Sequence, residues 1–268
     1  MYKVFYFLPV KKFIIILVVM ALQEELKTQG DFLFRNRSYL PLIILGIGLA
    51  VFVHTKYNEI DDPDSRFSEV FAYIYLIVSL FGLLIRVVTV GHTPKNTSGR
   101  NTKAGQVADE LNTSGIYSTL RHPLYLGNFF MWLGVAMLTE NMWFIFAFIL
   151  FYAFYYERIM YAEEAFLRGK FGVSYLEWAE HTPAIIPSFK LYLKAKYPFS
   201  IKKVLKKEKN GLWAVFLLFW IFDVTGTFIE DGSFRLELTF WLYAAIGSTV
   251  IYLILKVMKK LRLLSETN

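Results

Sequence analysis

The chain has 268 residues, of which 56% are hydrophobic and 18% aromatic, and its formal net charge is +7. So apolar a composition over this length excludes a soluble globular domain and points to helices that cross a bilayer. The positive charge then belongs to the loops of a membrane protein and not to a nucleic-acid surface. The absence of cysteine excludes disulfides, thiolate metal sites and a cysteine nucleophile.

Residues 1–22 mix apolar runs with Lys11-Lys12 and lack a small-residue cleavage motif. They predict a first helix that lies in the interface, or spans with its lysines snorkelled to the surface. Residues 23–38 are polar and carry Lys27, Arg35 and Arg37. Residues 39–54 form the first clear span, with Pro41 in its first turn, where proline is tolerated. An acidic loop over 55–68 leads to a second span over 70–90, with Arg86 near its end, and then to a long polar loop over 91–114. The apolar stretches 124–139 and 142–156, joined by Glu140-Asn141, predict a tight transmembrane hairpin. Residues 157–210 form a basic segment that includes Lys202, Lys203, Lys206 and Lys207. Stretches 212–229 and 238–257 predict a second hairpin with an acidic turn, followed by Lys256, Lys259, Lys260 and Arg262.

The expected fold is all-α: a polytopic transmembrane helical bundle of about six spans plus the N-terminal helix. Its units are an N-terminal segment (1–38), two spans with a basic loop (39–114), a motif region with a hairpin (115–189), and a basic linker with the C-terminal hairpin (190–268). Basic and acidic loops alternate through the spans without contradiction, so the basic ones are expected on the cytoplasmic side. The Lys202–Lys209 cluster there suits anionic lipid head groups. No Gly-rich phosphate loop is present, and no metal site is expected.

Residues 115–187 hold the chemistry. They open with G-I-Y-S-T-L-R-H-P-L-Y-L-G and close with E-E-A-F-L-R-G-K-F-G-V-S-Y-L-E-W-A-E-H-T-P-A-I-I-P. The tight hairpin returns the chain to the face it left, so Arg121-His122-Pro123 and Glu163-Glu164 are expected to meet. Two adjacent carboxylates at a membrane surface repel, and a cationic ligand would relieve them. The free N–H groups at a proline-started helix favour an anion, which makes Arg121 a candidate carboxylate clamp.

This ordered set, R-H-P-x-Y-x-G, a hairpin, E-E-x-x-L, F-G-x-x-Y and P-x-x-x-P, resembles the membrane methyltransferases of the isoprenylcysteine carboxyl methyltransferase and phospholipid methyltransferase superfamily. The resemblance implies S-adenosylmethionine as cofactor and a lipid-borne acceptor. It implies that Glu163 and Glu164 lie at the cofactor, and their placement makes Tyr117, Arg121, His122, Pro123, Tyr125, Gly127 and Tyr175 the further expected cofactor contacts, Gly127 serving either a close ligand approach or a helix contact. A lid over the pocket is expected from Phe171-Gly172, Tyr175, Trp178 and residues 183–187. One departure is visible: many members carry Arg after the first proline of the last motif, where this chain has Ala184.

The loop over 93–103 holds Lys95, Arg100 and Lys103 among small hydroxyls and amides, a composition that suits a phosphate. Arg100 therefore joins Arg121 and His122 as a catalytic candidate. Lipid phosphate, as on lipid A, is the first expected acceptor, with a prenylcysteine carboxylate and an ethanolamine amine next. The expected setting is the inner membrane of a bacterium. The competing reading is a non-catalytic polytopic protein. Transport, one version of it, calls for charges at mid-bilayer or broken helices, and neither is seen.

Overall fold

The computed structural model describes residues 21–37, 39–59, 69–94, 100–102, 105–234 and 237–264. The expected helix over residues 1–22 thus lies outside the described residues, except for its last two positions. Among the described residues the chain is helical. Its elements are α1 (Leu22–Asn36), α2 (Leu40–Glu59), α3 (Glu69–Gly91), α4 (Pro123–Met137), α5 (Met142–Phe171), α6 (Val173–His181), α7 (Ile201–Asp231) and α8 (Phe240–Lys260). A small antiparallel ribbon pairs β1 (Arg100–Thr102) with β2 (Gly105–Val107), Arg100 standing opposite Val107.

Helices α2, α3, α5, α7 and α8 are each long and apolar enough to cross a bilayer, and α4 is a shorter apolar helix. These are the predicted spans, and the protein is a multi-pass integral membrane protein. Its outward faces are apolar, with Ile43, Ile47, Ile77, Leu84, Phe154 and Leu253 exposed. Such faces suit lipid and would be a liability in water.

Three boundaries differ from the hydropathy reading. Helix α5 does not stop at 156 but continues to Phe171, and α7 begins at Ile201, well before its apolar stretch. Good helix formers dominate both extensions, Glu, Ala, Leu, Arg and Met after residue 156 and Lys, Leu and Glu before residue 212, so hydropathy marks the membrane edge and not the helix end. Residues 23–38, read as a polar connection, form α1 packed on α5. A Cβ on Gly30 would lie 2.1 Å from the Arg158 carbonyl oxygen. Phe34 is buried in one cluster with Tyr125, Tyr155 and Tyr156, and Arg158 Nε donates to Gln29 Oε1 at 2.8 Å.

Lipid tails are as apolar as leucine, so helices in a membrane gain little by expelling them and associate through close packing instead. Helices α3 and α4 show this. A Cβ on Gly82 would stand 2.4 Å from the Gly127 carbonyl oxygen, and one on Gly134 would stand 2.2 Å from Ser79 Oγ. Ser79 Oγ itself donates to the Met131 carbonyl at 2.9 Å. Helix α7 joins this pair through charge. Arg86 on α3 donates through Nε and Nη2 to the two carboxylate oxygens of Glu208 at 2.7 and 2.9 Å, and through Nη1 to Asn128 Oδ1 at 2.5 Å. The α4–α5 turn is fixed by Asn141, whose Oδ1 accepts from the Phe144 N–H at 3.0 Å as an N-cap.

Candidate functional site

The two boxes meet. Proline at the first position of α4 leaves His122 as the residue before the helix and presents it toward α5. His122 Nε2 lies 2.8 Å from Glu164 Oε1, and Nδ1 lies 3.7 Å from Glu163 Oε2. Arg121 Nε donates to the same Glu164 oxygen at 2.8 Å. Tyr125, one turn into α4, donates its hydroxyl to Glu163 Oε2 at 2.7 Å, and its ring stacks on His122 at 5.5 Å between centroids. Tyr152 in turn donates to the Tyr125 carbonyl at 2.7 Å. His122 and Glu163 are both 6% exposed, so this is a buried charged cluster.

Burial works to lower the pKa of His122, but hydrogen bonds and charge from Glu163 and Glu164 outweigh it and raise the value. With a carboxylate on each ring nitrogen, the imidazolium is the favoured form, donating from Nε2 to Glu164.

A cover closes over this cluster. Gly172 takes a positive φ of 55°, which an L side chain resists, and the chain reverses there from α5 into α6. Helix α6 lays Tyr175 and Trp178 inward against Leu111, Phe166 and Leu167. Its end is stapled by Arg121, whose Nη1 donates to the carbonyls of Ala179 and Thr182 at 2.7 and 2.8 Å. The P-x-x-x-P segment then runs back along the start of α4. The Arg121 N–H donates to the Pro183 carbonyl at 2.8 Å, the His122 N–H to that of Ala184 at 3.2 Å, and the Ser188 N–H to that of Thr119 at 2.9 Å. On the other side Glu110 is held by Lys196 Nζ at 2.6 Å and Tyr197 Oη at 2.5 Å, and its pKa is lowered by those two bonds.

Between cluster and cover lies a cavity lined by Glu110, Asn112, Tyr117, Arg121, His122, Tyr125, Glu163, Tyr175 and Trp178, among others. It is partly open to the surface, and its inner space of about 40 Å³ has room for a few waters. One buried donor on its wall, Trp178 Nε1, has no hydrogen-bond partner among the described residues. Tyr175 Oη leans to Glu164, and burial together with the charge and hydrogen bonding of that carboxylate raises the Tyr175 pKa, so its proton stays in place as a donor.

Of the residues singled out in the sequence, Tyr117, Arg121, His122, Pro123, Tyr125, Glu163 and Tyr175 line the cavity. Glu164 stands behind His122 and Arg121. Gly127 faces α3, where a Cβ would meet Arg86 Cγ at 2.6 Å, and it packs helices instead of lining the cavity. The backbone of Arg100 is in β1, but its side chain, like Lys95 and Lys103, lies outside the described residues. The sequence reading missed Glu110 and Asn112, which join the wall from a loop with no motif of its own. It also missed the partner of Arg86. The Lys202–Lys209 cluster does not face outward as a unit. Lys203 is buried and donates to the Thr93 carbonyl, and Glu208 is taken up by Arg86.

The fold and site define a multi-pass membrane protein with a buried imidazole between two glutamates, under a cover pinned by an arginine. Residues 72–174 match the family described as phospholipid methyltransferase. This stretch, which holds Arg121, His122, Glu163 and Glu164, is similar to that family. The cobalt-zinc-cadmium resistance protein CzcN of Cupriavidus metallidurans is 36% identical over 33% of this chain and 41% of its own length. The protein-S-isoprenylcysteine O-methyltransferase of Schizosaccharomyces pombe is 42% identical over 29% of this chain and 33% of its own. That of Xenopus laevis is 34% identical over 48% of this chain and 44% of its own. The chain therefore spans less than half the length of each of these relatives. No solved structure matches the chain.

Proposed function

We propose that the chain is an integral-membrane methyltransferase that uses S-adenosylmethionine and acts on a lipid-borne acceptor. The observation that carries this is the meeting of Arg121-His122 with Glu163-Glu164 beside a buried donor, Trp178 Nε1, that no described residue satisfies. An unsatisfied buried donor destabilises a fold, so one on this cavity wall argues for a ligand that accepts from it. S-adenosylmethionine fits this donor set and, when bound, supplies an activated methyl group. Glu163 answers a cation, and Tyr175 and Trp178 donate to ring or carboxylate acceptors. Arg121 serves a carboxylate once released from the cover. The inner space is smaller than a nucleoside, and lifting α6 off the Arg121 staple would widen it.

An anionic acceptor needs no general base, in keeping with a His122 held protonated. Lipid phosphate, of the lipid A type, is the first choice, supported by the basic composition of residues 93–103. A prenylcysteine carboxylate is the second, supported by the names of the relatives. Loop charge supports the site facing the cytoplasm, and a lipid A-type acceptor goes with a bacterial inner membrane.

Calorimetry of the detergent-purified chain with S-adenosylmethionine tests the reading. Binding is expected in the native chain and loss of at least tenfold in affinity in Glu163→Gln, about 1.4 kcal/mol or more. A native chain that binds none overturns it. Lipid mass spectra with and without the gene then assign the acceptor from the lipid class that gains a methyl.

A further inference from the structure

The C-terminal hairpin lies outside the matched residues 72–174, and it assembles charge in an unusual way. Helices α7 and α8 run antiparallel, and Trp213 on α7 stacks on Tyr252 of α8 with ring centroids 4.9 Å apart and planes 19° apart. Trp213 Nε1 also donates to Thr249 Oγ1 at 3.0 Å, which fixes the register of the two helices. Residues four apart share a helix face. Lys209 therefore stands one turn from Trp213, and Lys256 one turn from Tyr252, both toward the end of the bundle that carries Arg121 and Glu163. The register brings these lysines together. Lys256 Nζ sits 5.5 Å from the centre of the Tyr252 ring, and Lys256 and Lys259 both bring their charge to bear on Lys209.

Lys209 is only 7% exposed, and the bond given to its ammonium is to the Lys206 carbonyl at 2.9 Å. The neighbouring carboxylate, Glu208, is turned to Arg86. Among the described residues no ion pair reaches Lys209, Lys256 or Lys259. Three cations held together beside a stacked aromatic pair, at the end of two membrane helices, are destabilised by mutual repulsion until an anion joins them.

We infer that the α7–α8 hairpin holds the phosphate of an anionic phospholipid, clasped by Lys209, Lys256 and Lys259 above the Trp213–Tyr252 stack. Lys256 and Lys259 are exposed on the outside of the bundle, where lipid is the neighbour, and the ring pair suits the boundary between head groups and acyl chains. The site does not depend on the methyltransferase reading.

Native mass spectrometry of the full-length chain in detergent tests it, with dioleoylphosphatidylglycerol and dioleoylphosphatidylcholine as the probes. Phosphatidylglycerol is expected to bind in preference to phosphatidylcholine. Lys209→Gln with Lys256→Gln is expected to weaken phosphatidylglycerol about tenfold to thirtyfold, from roughly one kcal/mol for each lysine. A control that removes the same charge at exposed Lys190 and Lys202 leaves the affinity within about twofold, as diffuse attraction alone is screened. Equal losses in the two double variants, or no preference for phosphatidylglycerol, would overturn the site. So would displacement of the lipid by millimolar glycerol phosphate, which would make it a site for soluble phosphate. If the buried substitution fails to fold, exposed Lys256→Gln alone must still weaken phosphatidylglycerol more than Lys202→Gln does.

Discussion

Two charged clusters sit inside the helical bundle, and they are built to different rules. Around Arg86 every strong group is answered: the guanidinium grips both oxygens of Glu208 and the amide oxygen of Asn128. Around His122 the cluster is also paired, but it borders a cavity and leaves Trp178 with a proton to give. A closed set of partners holds helices; a set with groups left over waits for a ligand. Burial and charge alone would not have told the two apart, because both clusters are buried and both contain an arginine and a glutamate.

Breaking the closed cluster has the largest effect expected. Glu208→Ala leaves the partly buried Arg86 without its carboxylate and is expected to lower stability by about 2 kcal/mol, read from thermal melting in detergent. Replacing Arg86 and Glu208 together by methionine is expected to lower it by less than Glu208→Ala alone. A double variant that is worse than the single would mean the pair is worth more than the charge it hides.

The His122 cluster gives an effect that depends on pH. The fold raises the His122 pKa above its ordinary 6.5, so the imidazolium is bound more tightly in the folded chain than in the unfolded one. That stability is complete below 6.5 and is lost as pH rises through the higher folded value. The melting temperature is expected to fall from about pH 6 to about pH 9, and to do so less in His122→Gln.

The smallest effect on the fold comes from the cover. Trp178→Phe removes a donor that the fold does not satisfy, so the melting temperature is expected to stay within about 2 °C. Affinity for S-adenosylmethionine is expected to fall about threefold to tenfold, as for a lost hydrogen bond. A large loss of stability with no change in affinity would move Trp178 from the site to the core.

The spans and the α4–α5 hairpin were legible in the sequence because hydropathy and a two-residue turn are local signals. The convergence of Arg121, His122, Glu163 and Glu164 was legible for the same reason: a short hairpin forces its two ends together. Helix α1 was not recognised, although Leu26, Gly30 and Phe34 share one face at fourfold spacing. Its apolar stripe is narrow, and its fit depends on a glycine meeting a carbonyl of α5. The pairing of Arg86 with Glu208 crosses 122 positions, and no local pattern could assign it. Gly127 looked like a ligand contact and proved to be a packing contact, because small residues serve both purposes and only the neighbouring helix decides.

Helix α4 has just 15 residues, which at 1.5 Å each reach about 22 Å, against a hydrocarbon layer of about 30 Å. With its far end at one boundary, its start stops roughly 8 Å short of the other. Where α4 sets the depth, His122 and its glutamates would sit beneath the head-group plane, at the floor of a dent in the leaflet. A lipid whose reacting atom hangs near the glycerol level could reach them by sliding sideways, without being hauled out into water.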